Sequence, residues 1–449
     1  MGTDLHRFIR AALALGLFFI PQLAQAILPI EHWRTSTGAK VYFVANRGLP
    51  MLDVSVDVPA GSAFDPPEKS GLAGITSGLL RMGAAGMSEE EIDRRLADVG
   101  AVMNHRYDTD RAGLSLRTLS DPKRRGQALE VMAGVLSAPA FPAATVERER
   151  ARYVSSLKEA DLTPDTRAST EFFRLVFGRH PYGQRPSGEP STVAALQRED
   201  LLAFYRRHYV ADQALVAIMG DVTRQEAEAI AEQLTRSMPR SNGVPLAIPA
   251  VRPLTGAATR FIEHPATQSH IMIGAPGISR DDPDFFPLFV GNYILGGGGF
   301  VSRITEEVRQ KRGLAYSAYS FFSTLKAGGP FVIGMQTRRD QAEQALAVVR
   351  STLREFVDKG PTEQEVVAAR QNIVGGFPMR IDSNRKIHEH LILIGYYNLP
   401  IDYLETFVAN VEGVTAADIK DAFARRVNPD QLVTVVVAAD RDKTAAAAP

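Results

Sequence analysis

The chain has 449 residues, more than one ordinary core organises, with 45% hydrophobic and 23% charged residues, the balance of a globular protein. Lys plus Arg and Asp plus Glu each number 51, so no basic excess points to nucleic acid or an anionic membrane surface. Cysteine is absent, which excludes thiol catalysis, disulfides and the bacterial lipoprotein route.

Residues 1–26 read as a secretory signal peptide. Arg7 and Arg10 give a positive start, Ala11 to Ile20 an apolar run, Pro21 a break, and Ala24-Gln25-Ala26 a small-x-small cleavage pattern. At about 1.5 Å per residue the run spans roughly 15 Å, half of a bilayer core, so it is too short for a membrane anchor. The expectation is cleavage after Ala26 and a mature chain in a Gram-negative periplasm, with no further membrane contact.

Next along the chain, Val54-x-Val56-x-Val58 alternates as a half-buried strand does, and Leu114-x-Leu116-x-Thr118 likewise. Ser88 with Glu91 forms a capping-box signature for a helix running through Arg95 and ending near Gly100. The pattern Gln127-Ala128-Leu129-x-Val131-x4-Leu136 then recurs as Gln344-Ala345-Leu346-x-Val348-x4-Leu353, 217 residues later. Arg207 with Asp212-Gln213 and the apolar run Leu215 to Met219 recurs as Arg425 with Asp430-Gln431 and Leu432 to Val437, at an offset of 218. The chain therefore reads as a duplicated unit: residues 27–238 and 257–441, joined by a connector at 239–256 and followed by a tail at 442–449. Pro239, Pro245, Pro249 and Pro253 make that connector extended rather than helical. In the second copy a helix from about Ser302 to Lys311 closes at Gly313, and a strand follows from Leu314 to Phe322. The fold class is α+β, two homologous halves, each a mainly antiparallel sheet packed with helices.

The nine histidines include no His-x-x-x-His or His-x-x-Glu-His pair, and His388-Glu389-His390 reads as a solvated helix surface. Ser70 and Ser77 lie among glycines without an identifiable base, so a serine hydrolase is disfavoured. The run Leu295-Gly296-Gly297-Gly298-Gly299-Phe300 reads as a flexible turn open to close backbone approach. Taken alone, Arg309 reads as a cation near a helix C-terminus, and Tyr316 as strand packing.

Several stretches resemble the pitrilysin/insulinase peptidases, especially the branch containing the mitochondrial processing peptidase. They are Gly61 to Asp65 with Gly71-Leu72-Ala73, His180-Pro181-Tyr182-Gly183, Phe204-Tyr205 through Gly220-Asp221, Leu295 to Gly298, Arg309 to Tyr316, and Asn398-Leu399-Pro400-x-Asp402-Tyr403-Leu404. The resemblance covers nearly the whole mature chain and implies halves that close like a clam shell around a peptide. That family places His-x-x-Glu-His directly after the Gly-Leu-Ala stretch, two His for Zn²⁺ and a Glu to activate water. In this chain the ligand positions fall on Gly74 and Gly78 and the base position on Ser77. The distal ligand falls on Ser155 or Ser156, depending on alignment by one residue. No metal is expected here. The resemblance gives the Gly296–Gly299 loop a role in substrate handling. It makes Arg309 and Tyr316 the pair that holds the substrate carbonyl, with Arg312 and Tyr319 as rivals.

The resemblance thus implies a non-catalytic subunit that docks on a homologous zinc-bearing peptidase subunit as a heterodimer. Zinc is expected in that partner, and Arg309 and Tyr316 would act in trans on its peptide substrate. The competing expectations are a stand-alone peptide-binding or chaperone-like module and a structural subunit such as those of the respiratory bc1 complex.

Overall fold

The computed structural model describes residues 29–243 and 246–439, so the signal-peptide and tail assignments lie outside the described residues. The first half carries β1 (Glu31–Arg34), β2 (Lys40–Ala45), β3 (Met51–Val58), β4 (Val102–Tyr107), β5 (Ala112–Leu119) and β6 (Leu215–Gly220). The second carries β7 (Ala258–Glu263), β8 (Gln268–Pro276), β9 (Ala315–Phe322), β10 (Pro330–Arg338) and β11 (Val433–Ala438). Strand order is β1-β2-β6-β3-β5-β4 in one sheet and β7-β11-β8-β10-β9 in the other. Apart from the added edge strand β1, the orders are the same. Each sheet has one parallel pair, β2 with β6 and β7 with β11, and antiparallel pairs elsewhere. The register repeats as well: Val54 pairs with Leu116 across β3 and β5, and Ile271 with Met335 across β8 and β10.

Both copies of the Gln-Ala-Leu motif lie on equivalent helices, Pro122–Ser137 and Ala342–Lys359. Ala128, Leu129, Val131 and Leu136 bury one face of the first, and Ala345, Leu346 and Leu353 that of the second. The helix after Ser88 runs Glu89–Asp98, with Gly100 at φ +65° beyond it. Only half of the capping box forms. Ser88 Oγ accepts the Glu91 N–H at 3.2 Å, but the Glu91 carboxylate is drawn off by Arg94 and Arg95, stronger charged donors than the cap's own amide.

Strand β3 corrects the half-buried reading. Asp53, Ser55 and Asp57, the residues expected to face solvent, are buried along with Val54, Val56 and Val58. Their cover comes from the other half. Helix Asn384–Tyr397 packs across β6, β3 and β2, placing Leu391 and Ile392 against Val44, Leu215, Ala217 and Met219. Reciprocally, helix Pro164–Phe177 of the first half packs on β8 and β11, with Phe172 and Val176 among Val332, Val433, Val435 and Val437. Each half therefore covers one face of its sheet with its own helices and lends a helix to the other.

This exchange also corrects the reading of His388-Glu389-His390. His388 is buried, with Nε2 3.1 Å from the Ala217 carbonyl oxygen, and Glu389 pairs with Arg106 at 3.0 and 3.1 Å. The segment is a seam between halves rather than a solvated surface. Asp110, wholly buried, ties the seam further: Tyr182 Oη and Tyr397 Oη donate to its carboxylate at 2.6 and 3.0 Å, and the Lys326 N–H at 2.8 Å.

Candidate functional site

The degenerate motif lies on the short helix Leu72–Leu79. Gly71 starts it at φ +97°, where a β-carbon would come within 2.8 Å of Val193, so only glycine fits. Asp65 caps it, accepting the Gly71 N–H at 2.8 Å and the Ala73 N–H at 2.7 Å. Burial pushes the Asp65 carboxyl up to about 7 against the pull of those two donors.

On this helix a β-carbon at Gly74 would meet the Tyr107 ring and hydroxyl at 3.3 Å. Tyr107 is held there by donating its hydroxyl to the Pro186 carbonyl at 2.6 Å. Burial, with the Asp65 charge second, raises its pKa. Ser77 is buried and donates to the Arg106 carbonyl at 3.1 Å, so its hydroxyl is already committed. A β-carbon at Gly78 would meet open space. Ser155 and Ser156 are both exposed on helix Ala143–Ala160. Zinc takes imidazole, thiolate or carboxylate donors. Two glycines, a committed serine hydroxyl and an aromatic ring do not fit it, and no chemical step is assigned to a metal at this place. Nor is there, among the described residues, any group of three His, Cys, Asp or Glu close enough to hold a metal ion.

In the second half the expected residues come together. Helix Phe285–Asn292 widens into a π turn, Tyr293–Gly297, and Gly299–Val301 forms a single 3-10 turn. The glycine run is not the loose turn expected from composition. A β-carbon at Gly296 would sit 2.4 Å from Ser320 Oγ on β9, one at Gly297 2.7 Å from Asn292 Nδ2, and one at Gly298 2.7 Å from the Tyr293 carbonyl. Gly299 alone is open, at φ +63°. Close packing of the first three aims Phe300 outward, 63% exposed.

The helix expected from Ser302 to Lys311 begins at Arg303 and widens into a second π turn, Glu306–Gln310, before Gly313 at φ +60°. That turn sets the Arg309 guanidinium near two rings, 4.8 Å from the Phe300 centroid and 5.2 Å from that of Tyr316. Tyr316 stands on β9, the edge strand of its sheet, 77% exposed. Gln310 Nε2 fixes the loop by donating to the Phe300 carbonyl at 2.6 Å. No carboxylate lies within 4.0 Å of Arg309 among the described residues. The rivals are placed differently. Arg312 is paired with Glu307 at 2.5 Å, and Tyr319 lies against Gly334 and stacks with Phe321. Sequence reasoning missed Phe300 as a partner of Arg309; its place directly after four glycines was the available signal.

An α+β duplication whose zinc-motif positions carry no metal donor in one half, with an exposed cation–aromatic cluster in the other, defines a relative of the metallopeptidases that lacks their zinc motif. Residues 41–184 match the family described as insulinase (peptidase family M16), and residues 195–373 match the peptidase M16 inactive domain. The solved peptidase M16 inactive domain from Pseudomonas fluorescens is 34% identical, with TM-score 0.88, covering 92% of this chain and 98% of that one. This chain belongs to peptidase family M16, and its halves have that family's clam-shell arrangement. Among curated relatives, an uncharacterized zinc protease of Streptomyces coelicolor is 28% identical over 325 residues, 70% of this chain and 69% of that protein. A Helicobacter pylori protein described as a non-peptidase homolog is 21% identical over 399 residues, 88% of this chain and 91% of that one.

Proposed function

We propose that this chain is the non-catalytic subunit of an exported heterodimeric metallopeptidase, helping to enclose a peptide for a homologous zinc-bearing partner. The observation that carries this reading is Arg309: a cation without a carboxylate partner, held near Phe300 and Tyr316 on an exposed edge. Ion-paired arginines abound in this protein, so an unpaired one held in place by rings is poised for an external anion or carbonyl oxygen. A guanidinium and a phenol O–H both donate hydrogen bonds, which suits a developing oxyanion on a substrate bound in the partner. The lack of metal donors at Gly74, Ser77 and Gly78 supports the same division of labour, since the hydrolytic centre must then come from elsewhere. Export rests on the signal-like segment at 1–26.

The test is reconstitution with a His-x-x-Glu-His homologue from the same genome and a peptide-cleavage assay on the purified pair. Arg309→Ala is expected to lower kcat on the order of 100-fold while the pair still co-elutes, and Arg309→Lys to recover part of the loss. Unchanged turnover in Arg309→Ala would remove the in-trans role. Failure of the two chains to associate would remove the subunit reading altogether.

A further inference from the structure

A cleft of about 800 Å³ opens at one end of the seam, between the connector and both halves. Its apolar walls include Phe64, Leu215, Leu246 and Ile248, and three cations line it: Arg34, Lys40 and Lys326. They come from three places in the fold, the end of β1, the start of β2 and the link between β9 and β10. Each is steadied by a neutral oxygen. Arg34 donates to the Gly38 carbonyl at 2.7 Å, Lys40 to Asn398 Oδ1 at 2.5 Å, and Lys326 to the Tyr396 carbonyl at 3.5 Å. Among the described residues none of the three has a carboxylate within 4.0 Å. The one acid in the lining, Asp212, is taken by Ser241, whose N–H and hydroxyl donate to its two oxygens at 2.9 and 2.5 Å.

Three like charges around one cleft repel one another; Arg34 and Lys326 are exposed, and the repulsion is felt most at Lys40, which is half-buried. Lys40 records the effect: burial first, then Arg34 and Lys326, hold it below the ordinary lysine value. An anion relieves the repulsion, and the apolar walls favour one with a hydrocarbon body behind its charge. We propose that this cleft binds a carboxylate carried on an apolar body, such as the free C-terminus of an apolar peptide. It is a site on this chain alone, separate from the Arg309 cluster and independent of any partner subunit.

The molecule carries its own reporter. Trp33 is the single tryptophan and lines an adjoining recess of about 360 Å³ together with Arg34 and Lys40. The experiment is titration of the mature chain, followed by Trp33 emission and calorimetry, with acetyl-trileucine, its C-terminal amide, decanoate and inorganic phosphate. The free acid is expected to bind saturably and the amide on the order of tenfold more weakly, the cost of losing a charge-assisted contact. Lys326→Met and Lys40→Gln, each checked for an unchanged melting temperature, should close the gap between acid and amide. Raising salt on the unaltered protein should close it without any substitution. Whichever carboxylate binds more tightly, peptide or fatty acid, identifies the source. Equal binding of acid and amide, no binding of either carboxylate at millimolar concentration, or phosphate binding as tightly as the peptide acid would overturn the proposal.

Discussion

The exchanged helices make a quantitative prediction through Phe172. Its ring is fully buried on a first-half helix, yet its neighbours Val332, Val433, Val435 and Val437 belong to the second-half sheet, and its Cζ closes on Gly274 of β8. Phe172→Ala removes that ring from a packed site and costs about 3–5 kcal/mol. If the halves unfold as one unit of about 400 residues, the unfolding entropy is about 0.85 kcal/mol/K, and a 4 kcal/mol loss lowers Tm by about 5 °C. A first half melting alone, about 210 residues, would shift by about 9 °C, since its entropy is half as large. Scanning calorimetry reads both quantities. The exchange predicts one transition with the smaller shift, and Leu391→Ala, a fully buried residue on the reciprocal helix, should move the same transition. Two separated transitions with Phe172→Ala moving only one, or a shift under about 1 °C, would refute the argument that each half completes the other.

Rebuilding the zinc motif should fail. The triple variant Gly74→His, Ser77→Glu, Gly78→His is expected to bind no stoichiometric zinc by elemental analysis, because a side chain at 74 would press on Tyr107 at 3.3 Å and the distal position offers only Ser155 or Ser156. Stoichiometric metal would show that Tyr107 moves aside freely. Asp65 predicts a pH dependence. Its folded-state value, about 7, lies above the ordinary 3.8, so its contribution to stability is fully present below pH about 4 and is lost as pH rises through 7. Asp65→Asn should flatten that part of the stability–pH curve in urea titrations, and an unchanged slope would assign it to another group.

The duplication was legible because identical motif spacing at two offsets survives as identical strand order, from the pairs at 127 and 344 and at 212 and 430. The exchange was not legible. Asp53, Ser55 and Asp57 alternate with valines just as a solvent face does, and periodicity reports only which residues share a face, not what covers it. His388-Glu389-His390 was misread for the same reason, since the groups that bury and pair it, Ala217 and Arg106, lie far away in sequence. The resemblance singled out Arg309 and Tyr316, and the structure sets the guanidinium 5.2 Å from the Tyr316 ring. The ring of Phe300 near the same guanidinium follows two π turns that no residue pattern announces.

The contrast between the two halves is physical as well as compositional. A motif helix stripped of its ligands would leave a polar void if nothing followed, and such voids cost stability. Here Tyr107 lies against Gly74, Ser77 is satisfied by the Arg106 carbonyl, and the same Arg106 reaches across the seam to Glu389. Ser77 and the Arg106 backbone are thus tied into the seam between the halves, while Gly74 and Gly78 stay part-exposed beside them. Arg309 shows the opposite condition, a cation with no carboxylate beside it and two exposed aromatic rings around it, which contributes little to folding at such an exposed position. A site repaired for stability and a site left unpaired at the surface point in different directions. The first is tied to its surroundings by the hydrogen bond of Ser77 and the ring of Tyr107, and the second stands unpaired near exposed rings.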